Sequence, residues 1–313
     1  MLDHELREQG PPEDFDNTIL AQEPSCPRRL YWFLRGATHR FVPAYFTYGK
    51  AMGVVLNTWH LTQDLESNPM ERAALALQKG EEEWQKDSPI EDKANSWSNL
   101  EETFMLYVQN YGPVEPWTMN LGKGELGFRF PIPGTMINYA GAIDAPILWN
   151  PYGELFREDK TIGAYITDSY VQQSDYSTQV SGYAWAYTLL RGEIPFGAYM
   201  NILSKAHRKE PEKRFQRYLT KRSDWELDKF MAETILLADR IRSRWNPGQW
   251  FWPMLGKRDP INCTGGMGRS ACLYKRLCLI EAEPWEFEDS YNFSEEFDWR
   301  DRWAPWEREG SNE

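Results

Sequence analysis

Apolar and polar positions along the 313-residue chain change period several times, and the changes divide it into blocks. Residues 1 to about 18 are polar and include Gly10-Pro11-Pro12, which predicts a flexible leader. The stretch to about residue 36 reads as helical. From 47 to 112 apolar residues recur at helical spacing among helix formers (MERAALALQKGEEEWQKD, then SNLEETFMLYVQNYG). The period then shortens to two. Residues 115–131 alternate around Gly122 and Gly124, as a hairpin does, and 136–148 and 155–162 read as strands flanking the turn Asn150-Pro151-Tyr152-Gly153. Helical spacing returns at about 170–192 and 210–244. No internal repeat is present. Strands set between helical blocks predict an α/β chain.

Composition adds location to that outline. At 41% hydrophobic and 15% aromatic, the chain can bury a core. Its formal charge of −12 argues at first against nucleic-acid binding, which normally shows as a basic excess. The charge is not evenly spread, however. Residues 281–313 hold twelve acidic and three basic side chains, which leaves −3 for the other 280. That tail also carries Trp285, Phe287, Tyr291, Phe293, Phe297, Trp299, Trp303 and Trp306. Acidic aromatic segments solvate, dock on their own domain or bind a partner protein. The N-terminus lacks the apolar core of a secretory signal, and no apolar run approaches the roughly 20 residues of a membrane span. A cytoplasmic chain with reduced cysteines is expected.

The central strands carry the most specific chemistry. One ends Gly141-Ala142-Ile143-Asp144, and the next reads Arg157-Glu158-Asp159-Lys160-Thr161. Side chains two apart share a strand face, so Glu158 and Lys160 point one way, with Asp159 and Thr161 opposite. If the strands pair as a hairpin, Asp144 comes beside Glu158. Two carboxylates suit Mg²⁺ or Mn²⁺, and a neighbouring lysine can orient water or offset charge on a phosphate under attack. Downstream, Gln179 and Tyr183 sit four apart on one helical face, where they can orient the lysine or touch a DNA backbone.

Four cysteines are too few for a dense disulfide scaffold. Cys26 stands alone, while Cys263, Cys272 and Cys278 cluster 237 residues later without a Cys-x-x-Cys. Four thiolates can hold Zn²⁺ or an iron–sulfur cluster, and buried unligated cysteines remain an alternative. Basic residues gather in two runs. One holds Arg28, Arg29, Arg35 and Arg40 among Tyr31, Trp32 and Phe33. The other, at 205–222, holds Lys205, Arg208, Lys209, Lys213, Arg214, Arg217, Lys221 and Arg222. Such runs suit single-stranded DNA or form solvated faces. No module for reading duplex sequence is evident.

Gly-x-Ile-Asp, then Glu-x-Lys-Thr fourteen residues after the Asp, then Gln-x-x-x-Tyr-Ala-Trp resembles the PD-(D/E)xK nuclease superfamily. The likeness is to its RecB-like branch, which includes CRISPR-associated iron–sulfur exonucleases and phage nucleases, and it spans about residues 24–280. It implies a restriction-endonuclease-like core, a mixed central sheet flanked by helices. The nuclease domain would run over 19–280, with a helical insertion at about 50–112 and an acidic tail at 281–313. Asp144 and Glu158 become metal ligands, Lys160 the catalytic lysine, and Gln179 and Tyr183 the auxiliary motif. Ser25-Cys26-Pro27-Arg28-Arg29-Leu30-Tyr31 and the C-terminal trio resemble the family's cluster ligands, so Cys26, Cys263, Cys272 and Cys278 would hold a structural [4Fe–4S] cluster.

One position departs from the pattern. Tyr48-Gly49-Lys50-Ala51-Met52 is followed by Gly53 where this branch usually carries a histidine. His60, two helical turns on, is a candidate substitute, and Glu125 a further candidate acid. The implied activity is Mg²⁺- or Mn²⁺-dependent DNA hydrolysis, more exonuclease than endonuclease, in recombination, repair or phage DNA processing (in a host cytoplasm if phage-encoded). The alternative is a catalytically impaired iron–sulfur protein on the same fold that binds DNA or a protein.

Overall fold

A computed structural model describes residues 3–39, 42–63, 68–87, 89–120, 124–254, 261–265, 271–280, 283, 286 and 291–293. The chain is mixed α/β and divides into two compact units, each built from separate stretches of sequence. One takes residues 1–40, 127–141 and 228–313; the other takes 41–126 and 142–227. The nuclease domain expected over 19–280 takes in stretches of both units. Arg40, the Gly122 turn and residues 294–313 of the tail lie outside the described residues.

The first unit corrects the flexible leader. Residues 3–9 form a helix, α1 (Asp3–Gln9), whose Leu6 is fully buried. Tyr31 donates to the Asp3 carboxylate at 2.8 Å, and the Trp245 indole donates to the Leu6 carbonyl at 3.1 Å. The strand β1 (Asp14–Phe15) pairs in parallel with Asn138 and Tyr139. The helices α2 (Asn17–Ser25) and α3 (Pro27–Leu34) meet at Cys26, and Asp16 caps α2 by accepting from the Ile19 amide at 2.7 Å. Residues 291–293, in the acidic tail, form β10 (Tyr291–Phe293), antiparallel to β2 (Ala37–His39). That part of the tail docks on its own unit.

The second unit begins with three helices, α4 (Ala44–Leu61), α5 (Pro69–Asp87) and α6 (Trp97–Tyr111), where helical spacing predicted them. Their apolar faces bury Tyr48, Met52, Val55, Trp59, Leu100, Phe104 and Tyr107 together with Leu203 and Phe215. A five-stranded sheet follows, in the order β3 (Thr118–Met119), β6 (Pro146–Trp149), β7 (Gly153–Ile162), β8 (Ala198–Ser204), β9 (Phe215–Thr220). Only β7 and β8 are parallel, and the helix α8 (Thr178–Arg191) lies in the connection between them.

Three strand expectations change. β3 pairs with β6, whereas β4 (Glu125–Pro131) belongs to a separate sheet ordered β1, β5 (Asn138–Asp144), β4, so 115–131 is no hairpin. The expected strand at 136–148 breaks at Ala145, whose φ of +26° turns the chain between β5 and β6. A non-glycine residue there is strained and marks a position fixed by its surroundings. Finally, β9 occupies 215–220, where helix was expected over 210–244, and β8 occupies 198–204, where no element was expected. β8 is buried on both faces, so it lacks the alternation that reveals a strand.

Gly80 shows how closely α4 and α5 approach. A Cβ there would run into the Val55 side chain and stand 3.4 Å from the Ala51 carbonyl oxygen. Alanine gains about 1 kcal/mol of helix propensity, but overpacking costs about 1–3 kcal/mol. Gly80→Ala is expected to lower the unfolding free energy in urea by about 1 kcal/mol. Part of the loss should return when the same change is made in a Val55→Ala background.

Candidate functional site

Alternation along β7 sorts its charged residues onto two faces. Gly49 of α4 would place a Cβ 3.7 Å from the Thr161 hydroxyl, and Asn57 accepts from Arg157 at 2.9 Å. The α4 helix therefore covers the face of Arg157, Asp159 and Thr161. Lys160 instead donates to the Gln179 carbonyl oxygen of α8 at 2.9 Å, which puts α8 over Glu158 and Lys160.

On the α8 side, the residues selected by sequence form one chain of contacts. The Gln179 amide donates to the Tyr183 hydroxyl at 2.9 Å, its carbonyl receives the Lys160 ammonium, and Lys160 also bonds Glu158 Oε1. Glu158 is 1% exposed, and among the described residues its second oxygen has no hydrogen-bond partner of good geometry. Asp144 joins from the end of β5. The antiparallel register of β6 and β7 pairs Pro146 with Phe156, and the Arg157 amide donates to the Ala145 carbonyl at 2.9 Å. One step further along that register sets Asp144 opposite Glu158.

The electrostatics follow from that crowding. Burial raises the Asp144 carboxyl well above the usual carboxylate range, and the Glu158 charge raises it further. Burial pulls the Lys160 ammonium down, but Glu158 and Asp144 outweigh it and hold the pKa above its ordinary value. Tyr170, in α7 (Asp168–Gln172), lies within reach of the Lys160 charge, which partly offsets the upward push of burial on its phenol. Sequence gave no signal for Tyr170, because it reaches Lys160 only after a loop.

Helix caps position the auxiliary pair. The expected helix from 170 breaks at Ser177, whose hydroxyl accepts from the Val180 amide at 3.3 Å and starts α8 just before Gln179. Arg222, at the end of β9, donates to Ser181 at 2.8 Å and to the carbonyls of Ser174 and Ser177 at 2.8 and 3.2 Å. Gln179 is thus presented by a helix start tied to the sheet.

The lower-ranked candidates separate. Glu125 is exposed at the start of β4. Backbone bonds from Ile132 to Ile137 and from Ala145 to Gly124 set β4 and β5 in a register that places Glu125 across from Asp144. Nothing lies within 4 Å of a Cβ built at Gly53. His60 is buried on the helical side, with Nε2 3.2 Å from the Tyr107 hydroxyl and the ring packed on Trp117. Burial, then the charges of Arg157, Arg217 and Arg72, drive its pKa well below the ordinary value. His60 thus sits with Tyr107, Trp117 and the arginines, on the face of β7 covered by α4 and away from Asp144 and Glu158.

Much of the second basic run is also committed inside the fold. Lys205 donates to Asn95 at 2.6 Å, Arg214 to Asn99 and Thr103 at 3.2 and 2.5 Å, and Arg217 to Glu115 and Tyr107. In the first run, Arg35 is fully buried and paired with Glu283 at 2.8 Å, while Arg28 stacks over Tyr31 and Trp32. These residues do not form the open basic surfaces expected from sequence.

All four cysteines lie in the first unit. The Trp32 indole donates to Cys278 Sγ at 3.3 Å, and the Cys272 amide donates to the Cys263 carbonyl at 3.0 Å. Burial pushes Cys278 up to about 11. Burial also raises Cys263 and Cys272, and each of these three thiols feels the charge of Cys26. Among the described residues, no three His, Cys, Asp or Glu side chains are close enough as placed to hold one metal ion. Nor is any helix among them long and apolar enough to cross a membrane.

No family model matches the chain, and no curated protein matches it. Among solved structures, one described as "Crystal structure of SSO0001" aligns over 78% of this chain and 87% of its own, at 13% identity and a TM-score of 0.32. A likeness of that size carries no argument about fold or function.

The state of His60 gives a pH signature. Its folded pKa is depressed, so below about pH 6.5 the unfolded chain binds a proton that the folded chain refuses, and stability falls with pH. Between pH 6.5 and 5 this loss amounts to about 2 kcal/mol. Urea titrations at the two pH values are expected to show a wild-type loss larger by about that amount than the loss of His60→Gln. Equal losses in both proteins rule out the buried neutral imidazole.

Proposed function

We propose that the protein is a metal-dependent deoxyribonuclease of the PD-(D/E)xK type. It hydrolyses phosphodiester bonds in single-stranded or end-containing DNA, more as an exonuclease than an endonuclease, in recombination, repair or phage DNA processing. The observation that carries this reading is the chain of contacts from Asp144 through Glu158 and Lys160 to Gln179 and Tyr183, assembled from β5, β7 and α8.

The donor set fits a hard divalent cation. Asp144 and Glu158 crowd two carboxylates together, one Glu158 oxygen lacks a partner of good geometry among the described residues, and Mg²⁺ is commonly held by one or two carboxylates with water completing its shell. When bound, Mg²⁺ or Mn²⁺ supplies an activated water and charge compensation at the phosphate. The protein's own residues do the rest. Asp144 and Glu158 would hold the cation, and Lys160, kept charged by both, would present its ammonium to the phosphate. Gln179 fixes the lysine, and Tyr183 fixes Gln179.

The same proposal includes a structural [4Fe–4S] cluster on Cys26, Cys263, Cys272 and Cys278. Thiolates on separate corners of a cubane stand further apart than ligands of one ion, so mutual electrostatic reach without a single-ion site is compatible with it. The cluster would join residue 26 to residues 263–278 and so close a long loop.

Glu158→Gln and Lys160→Ala are each expected to slow Mn²⁺-dependent hydrolysis of end-labelled DNA by about a hundredfold or more. A wild-type rate in either variant ends the nuclease reading. Inactive wild-type protein that still binds DNA favours the impaired iron–sulfur alternative, in keeping with Gly53. Protein purified without oxygen should be brown, with visible absorption that dithionite bleaches and that Cys263→Ala loses. Colourless protein containing zinc removes the cluster.

A further inference from the structure

We infer that the loop between β7 and α7 is a nucleobase-stacking subsite, with Tyr165 as its platform, for an unpaired DNA strand running out of the Asp144–Glu158–Lys160 site. The inference rests on the nuclease reading for its ligand and adds where the substrate is gripped.

The loop begins and ends beside Lys160. It leaves β7 at Ile162, two residues past the lysine, and enters α7, where Tyr170 returns within reach of the lysine charge. Tyr165 lies between these two points, 55% exposed. Its backbone surroundings are fixed: Ser204 donates to the Ala164 carbonyl at 2.8 Å, the Lys205 amide donates to the Ile162 carbonyl at 2.8 Å, and Thr167 caps α7. Held in this way, the ring spends little entropy on meeting a ligand.

The Arg208 guanidinium stands 4.1 Å from the centroid of the Tyr165 ring. It lies over one face of the ring, orders it and carries a positive charge there. A guanidinium stacked on an aromatic ring matches a nucleotide, with the base stacking on the pair and the phosphate near the cation. A duplex fits poorly, because its bases already stack on one another. Any base offers a π-face, so the subsite grips without reading sequence. Lys205, Arg214, Arg217 and Arg222 of the same run are engaged inside the fold, whereas Arg208 is half-buried, lies over the exposed Tyr165 ring and donates to the Lys213 carbonyl at 3.4 Å.

The test measures binding of an oligonucleotide containing 2-aminopurine, single-stranded or annealed, in EDTA, and then its cleavage with Mn²⁺. Tyr165→Ala is expected to weaken single-strand binding about tenfold and to lose the fluorescence quenching, while Tyr165→Phe stays within about twofold of wild type. Arg208→Gln should weaken binding and flatten its salt dependence. Duplex binding should not distinguish the variants. Circular dichroism checks that each folds. Single-strand binding by Tyr165→Ala equal to wild type overturns the subsite, and if wild type cleaves, the nuclease reading survives that result. Tyr165-dependent binding without cleavage keeps the subsite and removes the nuclease. Wild-type protein that neither binds nor cleaves removes both.

Discussion

The candidate site depends on a buried ion pair behind it. Arg157 is fully buried, and its guanidinium meets Asp159 two residues along the same strand at 2.8 Å. Asn57 of α4 accepts from Arg157, and Asn201 of β8 donates to Asp159 at 2.7 Å. One charge pair therefore ties β7 to the helix above it and to its parallel neighbour. Removing one member of such a pair strands a charge in the interior, which typically costs about 3–5 kcal/mol. With β7 held against slipping, Glu158 and Lys160 must face the other way, because a one-residue slip would exchange the two faces.

From that register the site is assembled by short connections. The β6–β7 hairpin brings the end of β5 back to Glu158, and the strained Ala145 marks where the chain leaves one sheet for the other. The β7–β8 crossover delivers α8, with Ser177 setting its first turn and Arg222 tying that turn to β9. Local capping chemistry, rather than length of helix, decides where Gln179 stands.

The parts legible in the sequence were those with a local period. α4, α5 and α6 follow from apolar spacing, and the two faces of β7 from alternation around Glu158 and Lys160. The pairing that brings Asp144 to Glu158 was readable because a short turn separates β6 from β7. β8 was hidden because it is buried on both sides, and β9 because its Arg217 is a polar residue turned inward toward Glu115. The basic run at 205–222 was misleading for the same reason: arginines read as surface charge bond Asn99, Thr103, Ser174 and Tyr107. Tyr170 carried no pattern, since loop closure alone brings it within reach of Lys160.

The two faces of β7 also differ in how their charge is balanced. Behind the strand, Asp159 has Arg157, and further polar contacts from Asn57 and Asn201 complete the network. In front, Asp144 and Glu158 share a single ammonium, and burial, then the Glu158 charge, raises the Asp144 carboxyl against the pull of Lys160. Asp159 is one residue from Glu158, yet it cannot serve the site, because alternation turns it into the neutralised network. A strand with equal acid and base on both faces would be stable and inert. On the proposed nuclease reading, the face that carries two carboxylates and one lysine is where a divalent cation and a phosphate would complete the balance.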